Sequence, residues 1–120
     1  MEDDALASLQ RLLLLNVSRN DLVRFNSDVF KGAYNLLQLD LSTNFLREFP
    51  SDALRYLTDL KFLNISNNLI GEIEQTHLSA VNELQVLDLS RNNIGRLGLN
   101  TFSNLSKLVR LDLSLNALRT

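Results

Sequence analysis

Residues 84–94 read Leu-Gln-Val-Leu-Asp-Leu-Ser-Arg-Asn-Asn-Ile, with leucine at the first, fourth and sixth positions and asparagine at the ninth. The alternation of Leu87 and Leu89 with Asp88 predicts a short β-strand that buries one face. The same pattern, L-x-x-L-x-[LIV]-x-x-N-x-[LI], occurs five times in the chain without a mismatch. The chain is therefore a tandem repeat, and its period indicates the fold.

The asparagine of the pattern recurs every 24 residues (44−20, 68−44, 92−68 and 116−92). Its five positions are Asn20, Asn44, Asn68, Asn92 and Asn116. Apolar residues also recur in the arm that returns from each strand to the next. Five residues after the asparagine they are Phe25, Phe49, Ile73 and Leu97, and ten residues after it they are Phe30, Leu54, Leu78 and Phe102. We predict that both arm positions are buried.

One repeat cannot bury its apolar face alone, so successive repeats must stack. Stacking places neighbouring strands about 4.8 Å apart in a parallel ladder. The sequence thus predicts an α/β-type, right-handed solenoid with a parallel β-sheet on its concave face and mostly irregular or short-helical arms on its convex side. We expect each asparagine to bond to backbone groups where the chain leaves the strand, which would form a buried ladder of amides.

The repeat resembles the extracellular "typical" class of leucine-rich repeat proteins, as in residues 36–50, where the pattern extends through Phe49 to Pro50. Toll-like receptors, Slit-like ligands and neuronal adhesion molecules belong to this class. The resemblance implies one domain over residues 1–120, with repeats starting near 12, 36, 60, 84 and 108 and with 1–11 as the tail of a preceding repeat. The class commonly carries cysteine-rich caps, which are absent here, so we predict a fragment of a longer array.

The composition excludes several kinds of site. A net charge of −2 argues against a nucleic-acid partner. The lack of cysteine excludes disulfides and thiolate metal ligands. No apolar segment approaches the roughly 18–20 residues of a membrane span, and the acidic start does not resemble a signal peptide. We expect no cofactor and no membrane insertion by this segment.

A catalytic or metal site is not predicted. The only histidine, His77, falls in a returning arm, whereas the serines and aspartates of the repeat lie on the strand face. Asp88 and Asp112 on adjacent strands could hold a cation between them. They could instead be solvated carboxylates whose repulsion is relieved by Arg91 and Arg110, which is the simpler interpretation. We therefore expect a protein that is not an enzyme.

The resemblance implies a protein-binding module of a secreted or cell-surface receptor or adhesion protein that binds through its concave strand face. The candidate partner-binding residues are Gln38, Phe62, Val86, Arg110, Arg19, Arg91, Asp40, Asp88 and Asp112. Phe62, Val86 and Leu14 are apolar where solvent is expected, which suits an interface core. The aspartates follow the repeat consensus and form one column across the strands. For this column we favour a solvated hydrogen-bonded ladder over specific recognition of a partner.

Three sequons fit N-x-[ST] and favour an extracellular location. Those at Asn16 and Asn64 coincide with the strand pattern, whereas the one at Asn104 does not and is the preferred glycan site. Two alternatives stay open, an intracellular scaffold or adaptor in the cytoplasm and a structural spacer in a larger ectodomain.

Overall fold

The main sheet contains five parallel strands, one from each repeat, in the order of the chain. The computed structural model describes residues 10–118. Its sheet consists of β1 (Leu14–Asn16), β2 (Gln38–Asp40), β3 (Phe62–Asn64), β5 (Val86–Asp88) and β7 (Arg110–Asp112). Each residue of the first four of these strands pairs with the residue 24 positions further along, as in Leu15 with Leu39. The predicted parallel solenoid is confirmed. Residues 1–9, most of the predicted tail of a preceding repeat, lie outside the described residues.

The returning arms contain only short regular elements. A second parallel sheet joins β4 (Glu72–Ile73) to β6 (Arg96–Leu97). Helix α1 (Ser51–Leu54) begins after Pro50, whose ring fixes a backbone angle compatible with a helix start. A 3₁₀ turn (Gln75–Leu78) occupies the arm of the next repeat. None of the helices within residues 10–118 is long and apolar enough to cross a membrane.

The core lies between the main sheet and the arms. Leu39, Leu63 and Leu87, at the middle of three strands, are at most 2% exposed. Leu54 and Leu78 close the core from the arm side. The leucine and isoleucine side chains that alternate along the sequence therefore form one continuous apolar layer through the stacked repeats.

Burial of the arm positions is less complete than the sequence predicts. Phe25, Leu97 and Phe102 are only partly buried, whereas the other members of the two arm columns are buried. Phe25 belongs to the first described arm, and Leu97 and Phe102 belong to the last. Each of these arms has a described neighbour on one side only, so part of its apolar surface stays in contact with solvent.

The residue before each repeat asparagine has a left-handed backbone. Its φ angle is 58° at Arg19, 57° at Thr43, 55° at Asn67, 56° at Arg91 and 57° at Leu115. This conformation turns the chain out of the strand, and it is costly for residues that carry a Cβ atom. None of the five positions is occupied by glycine.

Candidate functional site

Each inner asparagine connects two repeats through its side-chain amide. The Asn68 Oδ1 atom accepts a hydrogen bond from the backbone N–H of Leu46 in the preceding repeat at 3.0 Å. Its Nδ2 atom donates to the carbonyl of Leu41 at 3.1 Å. The same nitrogen donates to the carbonyls of Ile65 and Ser66 in its own repeat at 3.2 and 3.0 Å. One amide thus satisfies backbone groups that the sheet ladder does not reach.

The amide ladder is buried only in the inner repeats. Asn44, Asn68 and Asn92 are each 5% exposed. Asn116 is half-buried, and Asn20 is exposed and donates only to carbonyls of its own repeat. The expectation of burial is wrong for Asn20, because no described residue covers its outer side.

The first outward column of the sheet presents a mixture of apolar and polar side chains to solvent. Leu14 is 61% and Phe62 is 37% exposed. Gln38 and Arg110 are also exposed, whereas Val86 is half-buried. The parallel register places these side chains in one row across the sheet, where they line one concave surface.

The aspartate column closes the turn that follows each strand. The Asp88 Oδ1 atom accepts from the Ser90 backbone N–H at 2.9 Å and from its Oγ at 2.7 Å. Asp112 Oδ1 accepts in the same way from Ser114 at 2.9 and 2.6 Å. Asp40 makes only the backbone bond, at 2.9 Å. The hydroxyl of Ser114, followed by its N–H, lowers the pKa of Asp112. The column therefore stabilises the turns of the fold.

Two asparagines make the same turn in the repeats without an aspartate. Asn16 Oδ1 accepts from the backbone N–H of Ser18 at 2.9 Å, and Asn64 Oδ1 accepts from that of Ser66 at 3.0 Å. A carboxylate is thus not required for this turn, since an amide oxygen fulfils the same role.

The structure does not bring all the candidate binding residues to one surface. Gln38, Phe62, Val86 and Arg110 line the concave surface, together with the three aspartates. Arg19 and Arg91 are exposed three residues beyond the ends of β1 and β5, and they are not among the residues that line it.

Sequence reasoning missed a second column that is partly apolar, formed by the residue directly before each main strand. Leu13 is 53% and Val109 is 84% exposed, each directly before a strand. Leu37, at the same repeat position, is half-buried. The signal available in the sequence was an apolar residue at this position in three of five repeats, with Lys61 and Gln85 in the other two.

His77 has a structural position in the arm. Its Nδ1 atom accepts the backbone N–H of Glu74 at 3.0 Å at the start of the 3₁₀ turn. Its ring packs against Phe49 of the preceding repeat, with centroids 6.3 Å apart. Within residues 10–118, no group of three or more His, Cys, Asp or Glu side chains is arranged to hold a metal ion.

The three sequon asparagines differ in accessibility. Asn104 is exposed in the last described arm, next to buried Leu105. Asn16 is exposed and Asn64 is half-buried, and the side-chain oxygen of each takes part in a turn. Asn104 is thus an exposed sequon asparagine that lies outside the strand turns.

Comparison with known families agrees with this architecture. The family model described as "Leucine rich repeat" matches residues 10–70 and 58–118. The chain therefore belongs to the leucine-rich repeat family, whose repeats form a protein-interaction fold. No curated protein matches the chain significantly.

Solved structures with the same fold come from several sources. A leucine-rich repeat protein of Leptospira interrogans is 32% identical over 100% of this chain and 29% of its own, with a TM-score of 0.82. Toll of Drosophila, in a complex with Spatzle, is 29% identical over 82% of this chain and 13% of its own, with a TM-score of 0.77. The leucine-rich repeat domain of APL1 is 24% identical over 96% of this chain and 30% of its own, with a TM-score of 0.87. The chain spans less than a third of each of these structures.

Proposed function

We propose that this chain is a protein-binding leucine-rich repeat module of a secreted or cell-surface receptor or adhesion protein, and that it binds its partner through the concave strand face. The observation that carries the proposal is Phe62, an aromatic side chain 37% exposed on the middle strand of the sheet. Buried aromatic and arginine side chains at the centre of a contact contribute most of the affinity of protein interfaces.

The neighbours of Phe62 suit the centre of such a contact. Val86 and Gln38 pair with Phe62 in the register of the adjacent strands, and Arg110 follows in the same row. We propose these four as the main contact residues. Arg19, Arg91 and the aspartates Asp40, Asp88 and Asp112 would contribute from the margin and from the second row.

Site-specific photo-cross-linking tests the binding face. A photoreactive phenylalanine replaces Phe62 in the protein expressed by its source cells, and in a second sample it replaces Phe45, which is 50% exposed but does not line the concave surface. We expect a discrete cross-linked protein species at position 62 and none at position 45. Equal cross-linking at both positions, or none at position 62, contradicts the proposal; the second result favours a structural spacer.

The proposed extracellular location rests on the exposed sequon at Asn104 and on the resemblance to the typical repeat class. The intact mass of the protein from its source, before and after enzymatic removal of N-linked glycans, tests it. We expect the mass to fall on deglycosylation, and to fall less in an Asn104→Gln variant. An unchanged mass would favour the intracellular scaffold.

A further inference from the structure

The concave face carries a chemical pattern that specifies its partner more closely. We infer that the partner presents a lysine or arginine beside an apolar side chain, an inference that rests on the proposed function. The cationic group would lie over Asp88 and Asp112, and the apolar side chain would lie against Phe62 and Val86. An amphipathic basic segment of a protein is the occupant that these features fit.

The apolar half of this site is formed by two side chains in register. Phe62 and Val86 are directly paired on β3 and β5. Phe62 is 37% exposed and Val86 is half-buried, so both keep apolar surface in contact with water. An apolar side chain of the partner would remove that surface from solvent, which favours association.

The acidic half lies directly beside it. Asp88 and Asp112 pair in register on β5 and β7, whose backbones run about 4.8 Å apart. In both side chains Oδ1 is occupied by a serine, while Oδ2 accepts no hydrogen bond from residues 10–118. Neither carboxylate forms a salt bridge within this range. Two adjacent like charges favour a cation between them, and an ammonium or guanidinium group can donate to both free oxygens.

This pair of charges occurs at one place in the column. Asp40, the remaining aspartate, has Asn16 and Asn64 as its register partners and is therefore a single charge. Asp88 is two residues beyond Val86, a distance of about 6–7 Å along the strand. The apolar and acidic halves are thus close enough for neighbouring side chains of one partner segment.

Two arginines near the acidic pair could attract a partner of the opposite charge. Arg110 begins the strand that contains Asp112, and Arg91 follows the strand that contains Asp88. A partner attracted mainly by these two arginines would be acidic. The charge of the selected partner segment therefore distinguishes the two arrangements.

A phage-displayed library of linear peptides, selected on the immobilised chain, tests the inference. We expect enrichment of peptides in which Lys or Arg adjoins an aromatic or aliphatic residue. The affinity of the best synthetic peptide should fall by about tenfold or more in the double variant Asp88→Asn and Asp112→Asn, and should also fall at high salt. The asparagine variants should fold, because Asn16 and Asn64 occupy the same repeat position naturally.

Matched controls separate local from general effects. The double variant Asp52→Asn and Asp59→Asn removes the same charge from exposed positions outside the concave surface and should leave peptide affinity unchanged. Phe62→Ala should weaken the same peptide. Enrichment of acidic peptides, absence of enrichment, or equal effects of the two double variants would overturn the inference. Cross-linking at position 62 together with any of these results would leave the proposed function intact and reject only the basic partner.

Discussion

The buried asparagine amides are the places where a single side chain holds two repeats together. Asn68 is 5% exposed and bonds to the backbone of both its own and the preceding repeat. An apolar replacement leaves these backbone groups without partners in the core. Asn68→Ala should therefore lower the free energy of unfolding by roughly 1–3 kcal/mol, measured by urea denaturation.

The half-buried Asn116 provides the control for this prediction. It makes the same kinds of hydrogen bond, but water can reach its surroundings. Asn116→Ala should therefore cost less than Asn68→Ala. Equal losses would show that solvent exclusion is not the source of the effect.

The residues before the five repeat asparagines have a left-handed backbone, which is more costly for a β-branched residue than for asparagine. Thr43 is β-branched, and φ is 57° at this residue, whereas repeat three has Asn67 at the equivalent position. Asparagine tolerates this conformation better than threonine does. Thr43→Asn should raise the free energy of unfolding by about 0.5–1 kcal/mol in urea denaturation. Thr58→Asn, at an exposed arm position without positive φ, should not raise it.

These two features also differ in how far the sequence could predict them. The asparagine positions follow from the 24-residue period, and their bonding follows from the polar groups of a bend. The left-handed backbone at Arg19 or Arg91 could not be inferred, because glycine is the usual signal for that conformation and is absent there. The turn-closing bonds of Asp88 and Asp112 depend on side-chain rotamers, which the repeat pattern does not specify.

At the scale of elements, each strand depends on its two neighbours. Leu63, on the middle strand β3, is 1% exposed, whereas Leu15 on β1 is half-buried. Leu63→Ala should lower the free energy of unfolding by about 2–5 kcal/mol because it leaves a cavity in the core. Leu15→Ala, the same substitution in the same column, should cost less. Equal costs in urea denaturation would contradict a core that weakens toward its ends.

The main strands could be placed from the sequence because their leucines alternate with polar residues at every repeat. The second sheet could not be placed from the sequence. Its strands, Glu72–Ile73 and Arg96–Leu97, contain two residues each, too few for an alternating pattern. Pairing at this length depends on backbone hydrogen bonds between arms, which do not constrain the side chains. The same limit applies to helix α1, whose start is indicated only by Pro50.

At the scale of the whole molecule, the pKa values of several carboxylates are shifted in the same direction. The Tyr56 hydroxyl, more than Arg55, lowers the pKa of Asp28, and Lys107 lowers the pKa of Glu83. A carboxyl group whose pKa is lower in the folded state stabilises the fold above its unfolded pKa. That stabilisation disappears as the pH falls through the folded value. The urea midpoint should therefore decline as the pH decreases below about 4.

Removal of the Glu83 carboxylate tests whether its salt bridge with Lys107 contributes to the acid sensitivity of the fold. Glu83→Gln should reduce the urea midpoint at pH 7, and this reduction should shrink as the pH falls through the lowered folded-state pKa of Glu83 and its carboxylate becomes protonated. Glu48→Gln is the control, since Glu48 is exposed and forms no salt bridge within residues 10–118. An equal pH profile for both variants would exclude the Glu83–Lys107 pair as a source of acid sensitivity.

The constant register of the sheet has a consequence for how such a chain can change in length. Every strand pairs with the next at an offset of 24 residues, and the amide of Asn68 bonds to backbone groups 22 and 27 residues earlier in the chain, both in the preceding repeat. Loss or duplication of a whole repeat joins two surfaces that already fit each other. Insertion or deletion of one residue within a strand would instead turn the leucines that follow it in that strand toward solvent. Genetic variation in the size of this array is therefore expected in whole repeats, while insertions of other lengths are confined to the arms.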